Sequence, residues 1–191
     1  HLGFNEGRYR AITGESGVSA TGDITVRAKG GDLQLIGGGA GNTIAQVGHG
    51  GWGSAEEKSG RLRIEVEGLT LQGGNGQQSA AQLGHGGAAG SGKVDGDIQV
   101  AVASEMLLNS GGNYLSYAQI GHGGSTYVGD LNGAVVVAAA SGKLVGTNPD
   151  AGAYVQVGHG DGATSGSGML VASAGNRSGD VTVEMGRDLI L

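Results

Sequence analysis

Cysteine is absent from the 191-residue chain, and proline, tryptophan and phenylalanine each occur once. Without cysteine, the chain can form neither disulfide bonds nor thiolate metal sites. No window approaches the roughly 18 consecutive apolar residues that a membrane-spanning helix needs. A chain of this kind has to become rigid without covalent links, which continuous hydrogen-bonded strand ladders allow.

Positive charge is scarce as well. Lysine and arginine total 11 residues against 17 aspartates and glutamates, which gives a formal net charge of -6. The chain therefore offers no basic patch for phosphate groups, and nucleic acid and anionic membrane surfaces are poor candidate partners. Glycine, in contrast, is abundant at 44 residues. It is too irregularly spaced for collagen and indicates many tight turns.

Many of the glycines belong to a repeated motif. The letters Ala-Gln-Val-Gly-His-Gly-Gly at 45–51 return almost unchanged at 81–87, 118–124 and 155–161. Phe4 takes the place of the motif histidine in a degenerate earlier copy. A fixed period is typical of repeat architectures, so we interpret residues 1–191 as one domain, a segment of a longer array. The motif histidines, at intervals of 36, 37 and 37 residues, are His49, His85, His122 and His159.

Two further segments accompany the motif in each repeat, and both alternate apolar with polar residues as short strands do. Three strands per repeat, separated by glycine-rich corners, predict an all-β fold. We expect a three-sided parallel β-solenoid, in which each repeat of 36–37 residues forms one coil and coils stack about 4.8 Å apart. The first predicted core column is Ile24, Leu62, Ile98, Val135 and Val181, and the second is Val26, Ile64, Val100, Val137 and Val183.

The remaining segments complete the predicted coil. Leucines of the second strand are expected at equivalent positions, and Gly-Asp pairs are expected at corners, where the aspartate caps the turning backbone. Long loops at 52–60, 88–96, 125–131 and 162–179 are expected to cover one edge of the solenoid. The second-strand leucines are Leu33, Leu69, Leu107, Leu144 and Leu189.

The letters Ser-Tyr-Ala-Gln-Ile-Gly-His-Gly-Gly at 116–124, with the Gly-Asp strands before them, resemble repeats of large bacterial exoproteins of the filamentous-haemagglutinin, two-partner-secretion type. The resemblance implies a right-handed parallel β-helix and export by a dedicated outer-membrane transporter. It implies a secreted or cell-surface location and a structural or adhesive shaft that acts in cell adhesion or biofilm matrix. The implied partners are neighbouring coils of the same longer chain, and host-surface or matrix glycans or proteins.

The predicted column of imidazoles could in principle share protons or bind Zn, Cu or Ni. A structural metal site usually has four converging ligands, whereas the motif offers only glutamine and glycine beside each histidine. We therefore expect a structural ladder without metal or cofactor, in which stacked imidazoles have a depressed pKa because protonation would place like charges together. The glutamines Gln46, Gln82, Gln119 and Gln156 should form a second ladder, on the opposite side of the strand from Val47, Leu83, Ile120 and Val157.

The alternative hypothesis is a carbohydrate-binding or carbohydrate-processing β-helix. Glycoside hydrolysis needs two carboxylates roughly 5 to 9.5 Å apart over a groove, and the aligned aspartates of this chain lie at corners, where capping explains them. No enzyme activity is therefore expected. A groove with two carboxylates and an aromatic side chain would favour the alternative. The aromatic residues that offer a possible surface contact are Trp52, Tyr117 and Tyr154.

Overall fold

A computed structural model of the chain describes residues 19–148, 152–160 and 175–191. All regular structure in these ranges is β, and all strand pairs are parallel. No helix in the described ranges has the length and hydrophobicity of a membrane span. The degenerate first copy with Phe4 and most of the 162–179 loop lie outside the described residues.

The strands form three sheets. The first, called the short sheet, consists of two-residue strands that precede the predicted first strand in each coil. The second, called the long sheet, contains both alternating segments of the sequence. The third, called the glutamine sheet, contains the strands of the repeated motif.

The short sheet contains β1 (Ala20–Thr21), β5 (Lys58–Ser59), β9 (Val94–Asp95), β12 (Leu131–Asn132) and β15 (Arg177–Ser178). The long sheet contains β2 (Ile24–Ala28), β3 (Leu33–Ile36), β6 (Leu62–Val66), β7 (Leu69–Gln72), β10 (Ile98–Asn109), β13 (Val135–Val145), β16 (Val181–Met185) and β17 (Leu189–Ile190). The glutamine sheet contains β4 (Ile44–Val47), β8 (Ala80–Leu83), β11 (Tyr117–Ile120) and β14 (Tyr154–Val157).

The register confirms one coil per repeat. Ile24 pairs with Leu62, and this column continues through Ile98, Val135 and Val181 as the sequence predicts. Most of these side chains are buried in one continuous core, because alternation in a strand sends every second residue inward. The three-sided parallel solenoid is therefore the fold of the described residues.

The predicted second strand is wrong in register. Leu69 pairs with Met106 rather than with Leu107, and Leu144 pairs with Leu108. Met106 is buried while Leu107 points away from the core. Strands β10 and β13 also run without a corner through both alternating segments, with a register irregularity after Val102. The number of residues between the two alternating segments differs from coil to coil. Matching leucine to leucine therefore gave the wrong pairing between the second strands of neighbouring coils.

The long loops do more than cover an edge. Each of them contains or leads into a strand of the short sheet, which sequence reasoning missed because two residues are too few to show alternation. The segments that follow the motif histidines fold over the outer face of the glutamine sheet, where Ala88 packs against Ala80 and Tyr117. We call these segments, 51–57, 88–93 and 125–130, the outer layer. The middle strands of the glutamine sheet, β8 and β11, are therefore buried on both faces.

Glycine is required where coils touch backbone to backbone. A Cβ atom on Gly84, which has a φ of +151°, would lie 2.0 Å from the carbonyl oxygen of Gly121 in the next coil. The same contact recurs between Gly48 and Gly84 at 1.9 Å. Such distances exclude any side chain, which explains the glycine before the histidine in the first three motifs, at Gly48, Gly84 and Gly121.

The predicted aspartate caps are present at three corners. Asp23, Asp97 and Asp130 each accept a backbone N–H from the following coil, at 2.8–2.9 Å. The carboxylates therefore join one coil to the next rather than only closing their own turn.

Candidate functional site: the glutamine and histidine ladders

The two repeated polar side chains of the motif lie at the end of each strand of the glutamine sheet. The aliphatic residue between them, such as Leu83, faces the main core, and the glutamine before it faces the outer layer. The predicted opposition of glutamines and aliphatics is therefore confirmed. Gln82 and Gln119 are fully buried, so their amide groups have to find partners within the protein.

The amides of three motif glutamines each bridge two carbonyls of the next coil, while Gln156 donates to the carbonyl oxygen of His159 in its own coil. The Nε2 group of Gln82 donates to the carbonyl oxygens of Gly121 at 3.0 Å and Gly123 at 2.6 Å. Gln46 and Gln119 repeat this pattern one coil earlier and one coil later, at 2.8–3.0 Å. The expected coil-to-coil ladder is present, but the acceptors are glycine carbonyls rather than the next amide. The glutamines therefore supply donors to backbone acceptors at the motif corner.

The rings of His85, His122 and His159 each make two hydrogen bonds that define the tautomer. The backbone N–H of His85 donates to Nδ1 of His122 in the next coil at 3.0 Å, so this Nδ1 carries no proton. The Nε2 atom of His122 lies 2.7 Å from the carbonyl oxygen of Gly96. Because a carbonyl oxygen can only accept a hydrogen bond, Nε2 carries the proton. Within its own coil, the His122 ring thus connects the glutamine sheet to the corner before β10. It also binds the preceding coil through Nδ1.

The four rings stack in one line. Neighbouring ring centroids lie 4.8, 5.0 and 4.8 Å apart and the rings are nearly parallel, as one coil per repeat predicts. Burial lowers the pKa of His85 to about 4 and that of His122 to about 3, and it lowers the pKa of His159. The direction agrees with the prediction for these three histidines, but its main cause is loss of water rather than repulsion between neighbouring imidazoles.

This geometry leaves the buried rings no lone pair for a metal ion. In His85 and His122, Nδ1 accepts a backbone N–H and Nε2 carries the proton that a glycine carbonyl accepts. A metal ion binds a deprotonated ring nitrogen, so it would have to displace one of these bonds. In the described part of the chain, no three His, Asp or Glu side chains converge as a metal site.

Two of the three proposed surface aromatics are not on the surface. Tyr117 is fully buried and Tyr154 is 9% exposed, and their rings stack with centroids 4.9 Å apart. The prediction is wrong because the outer layer packs on this face of the sheet. The sequence of the motif does not indicate that another segment packs there. Burial raises the pKa of the Tyr117 phenol. Trp52 remains a candidate contact because it is 45% exposed.

A shallow groove of about 440 Å³ crosses the outer face of the long sheet. Glu65 and Glu67 line it beside several alanines, and no aromatic side chain does. Arg27 and Arg63 form ion pairs with Glu65 at 2.8 and 2.6 Å. The hydrogen bond from Arg63 is the main reason that the pKa of Glu65 is lowered, which is the wrong direction for a general acid in glycoside hydrolysis.

Lys58 is a buried ammonium that the sequence did not reveal. Its side chain is 1% exposed, although Val94 and Leu131 occupy the same place in the next two coils. Its Nζ donates to the carbonyl oxygens of Ser91 at 3.0 Å, Ser54 at 3.4 Å and Glu56, and lies 3.4 Å from the Tyr127 hydroxyl. Burial lowers the pKa of Lys58 to about 8. This cation ties together outer-layer segments of three coils.

We expect Gln82→Met to destabilise the protein. The substitution keeps the buried volume close to that of glutamine but removes both donors, which leaves the carbonyls of Gly121 and Gly123 without this partner. Two unsatisfied buried acceptors cost about 2–6 kcal/mol of unfolding free energy. The measurement is urea unfolding at pH 7.5.

The matched control is Gln34→Met, the same chemical change at an exposed position of β3. We expect this variant to lie within about 0.5 kcal/mol of wild type. Equal unfolding free energies for the two variants would mean that the amide ladder does not hold the coils together.

Lys58→Met should change how stability depends on alkaline pH. The folded-state pKa of Lys58 is depressed, so between about pH 8 and pH 10.5 the unfolded chain binds more protons than the folded chain. Wild-type stability should therefore rise with pH, by up to about tenfold in the folding equilibrium constant per pH unit. The Lys58→Met variant should lack this rise.

The comparison is best made by urea unfolding between pH 7.5 and 9.5, because the raised pKa values of the Tyr117 and Tyr127 phenols oppose the effect at higher pH. Lys143→Met, at an exposed position of β13, controls for the loss of one positive charge. Parallel pH profiles for wild type and Lys58→Met would refute the role given to the buried ammonium.

No protein-family model, no curated protein and no solved structure matches this chain. The resemblance to exoproteins of the filamentous-haemagglutinin type therefore rests on the repeated letters alone. What is established for the described residues is a parallel β-solenoid whose coils are joined by in-register glutamine and histidine ladders.

Proposed function

We propose that this chain is a structural and adhesive shaft segment of a large secreted or surface-bound bacterial exoprotein. The observation that carries the proposal is the repetition of the same side-chain bonds at successive joints between coils. Gln46, Gln82 and Gln119 each bridge two carbonyls of the following coil. Identical joints give a rod that lengthens by adding copies, which is what a spacer requires.

The buried state of the ladders also supports a mechanical role. The most regular part of the sequence is turned inward, because Gln82, Gln119, His85 and His122 are all fully buried. A repeat that served mainly to bind ligands would be expected to present its recurring polar residues to solvent. Here the recurring residues bind the next coil, and the outward positions of the long sheet vary between repeats.

The carbohydrate-binding or carbohydrate-processing alternative has weaker support. Its expected signature was two carboxylates and an aromatic side chain in one groove. The groove on the long sheet has Glu65 and Glu67 but no aromatic lining, and arginines neutralise Glu65. Trp52 is exposed on the outer layer, which does not line that groove.

The remaining parts of the proposal follow the family resemblance. In this account, a dedicated transporter exports the parent chain across the outer membrane, and neighbouring coils of that chain extend the solenoid on both sides. Adhesion to host-surface or matrix glycans or proteins would then take place along or beyond the shaft, in contact with neither nucleic acid nor the membrane interior.

Deleting one whole repeat tests the spacer role. Removal of residues 86–122 joins His85 to Gly123 in the register that the native coils already use. We expect this deletion, made in the parent chain, to leave cell attachment or matrix formation intact. In the isolated 191-residue chain it should remain folded by circular dichroism, with a rod about 4.8 Å shorter in small-angle scattering.

The control is removal of residues 86–104, which interrupts the repeat at mid-coil and should abolish cooperative folding. If the whole-repeat deletion folds normally but abolishes attachment, residues 86–122 contain a binding site and are not a spacer. Loss of glycan binding in Trp52→Ala, with unchanged stability, would support the carbohydrate alternative.

A further inference from the structure

The histidine ladder requires neutral imidazoles. In each buried ring, Nδ1 accepts the backbone N–H of the histidine one coil earlier, at 2.9–3.0 Å. A protonated ring has N–H groups on both nitrogens. Protonation would therefore point an N–H at another N–H across the joint, and the bond that holds the preceding coil would become a repulsive contact.

The surroundings of the ladder add to this effect. Neighbouring rings are 4.8–5.0 Å apart, so a charge on one ring is unfavourable for a charge on the next. The other charged groups that act on the ladder are also cations, Lys58 on His85 and Arg177 on His159. Glycine carbonyls, such as that of Gly60 at 2.9 Å from Nε2 of His85, are the groups that favour the proton.

We propose that the histidine ladder is an acid-sensitive joint, in which proton uptake by the buried imidazoles separates neighbouring coils and loss of the protons rejoins them. The inference goes beyond the proposed shaft function, because it follows from the ring contacts whatever the chain does. It gives a solenoid whose joints are most stable at neutral pH and lose stability as the pH falls below about 6.5, starting at the glutamine-sheet corner where the rings lie.

The sign of the linkage follows from the folded and unfolded pKa values. Histidine in the unfolded chain has a pKa near 6.5, while burial holds the pKa of His85 and His122 at about 4 and about 3. Below pH 6.5 the unfolded chain takes up protons that the folded chain rejects, so stability is complete above this pH and is lost as pH falls.

The test is urea unfolding of the whole 191-residue chain at pH 7.5, 6.5, 5.5 and 5.0. For the two fully buried histidines together, the folding equilibrium constant should fall by up to about a hundredfold per pH unit below pH 6. Carboxylates contribute little in this window because their unfolded pKa values lie near 4. Return to pH 7.5 should restore the original stability.

The matched variant carries both His85→Gln and His122→Gln, which removes the two titrating groups. We expect its loss of stability between pH 6.5 and 5.0 to be at least tenfold smaller than that of wild type. An equal loss in both proteins would overturn the proposal.

A measurement on the wild-type protein decides the matter if the double variant fails to fold. In NMR spectra of the folded chain, the ring protons of His85 and His122 should not titrate above pH 5. Amide protection of His49 and His85, whose N–H groups donate to Nδ1, should fall on acidification before that of Ile64 and Val100 in the long sheet. Ring titration near pH 6.5 without loss of protection would overturn the proposal.

Discussion

The structure depends on one constraint, that the carbonyl oxygens of Gly96, Gly121 and Gly123, at the glycine corners of the middle coils, take their hydrogen-bond donors from motif side chains. A buried acceptor without a partner costs about 1–3 kcal/mol. The Nε2 group of Gln82 donates to the carbonyl oxygens of Gly121 and Gly123. The Nε2 atom of His122 donates to the carbonyl oxygen of Gly96. The motif is therefore best understood as a set of hydrogen-bond donors placed where the backbone turns.

The same constraint accounts for the glycine content and the double-layered cross-section. Glycine allows successive corners to approach until an added Cβ atom would collide with the next carbonyl, as at Gly84. Once the corners are that close, the polar side chains between them lose contact with water, and the outer layer completes their burial. Lys58 has the same role in the outer layer, where its ammonium group donates hydrogen bonds to the carbonyl oxygens of Ser54 and Ser91.

How much the sequence predicted depends on how strongly each feature is repeated. The period and the alternation specified the columns of Ile24 and Val26 and the opposition of Gln82 and Leu83, because a one-residue slip would reverse every side chain. The burial of Tyr117 and Lys58 was missed for two reasons. The outer layer has no alternation of its own, and the position of Lys58 holds Val94 and Leu131 in the following coils, so no repeat marked it.

The central claim, that neutral imidazoles hold successive coils through Nδ1, is tested most directly by NMR of the uniformly ¹⁵N-labelled chain at pH 7.5. A hydrogen bond from the backbone N–H of His85 to Nδ1 of His122 should produce a nitrogen–nitrogen coupling across the bond, together with the ring shifts of the Nε2-protonated tautomer. An Nδ1-protonated tautomer at His122, or the absence of that coupling in a folded sample, would contradict the account.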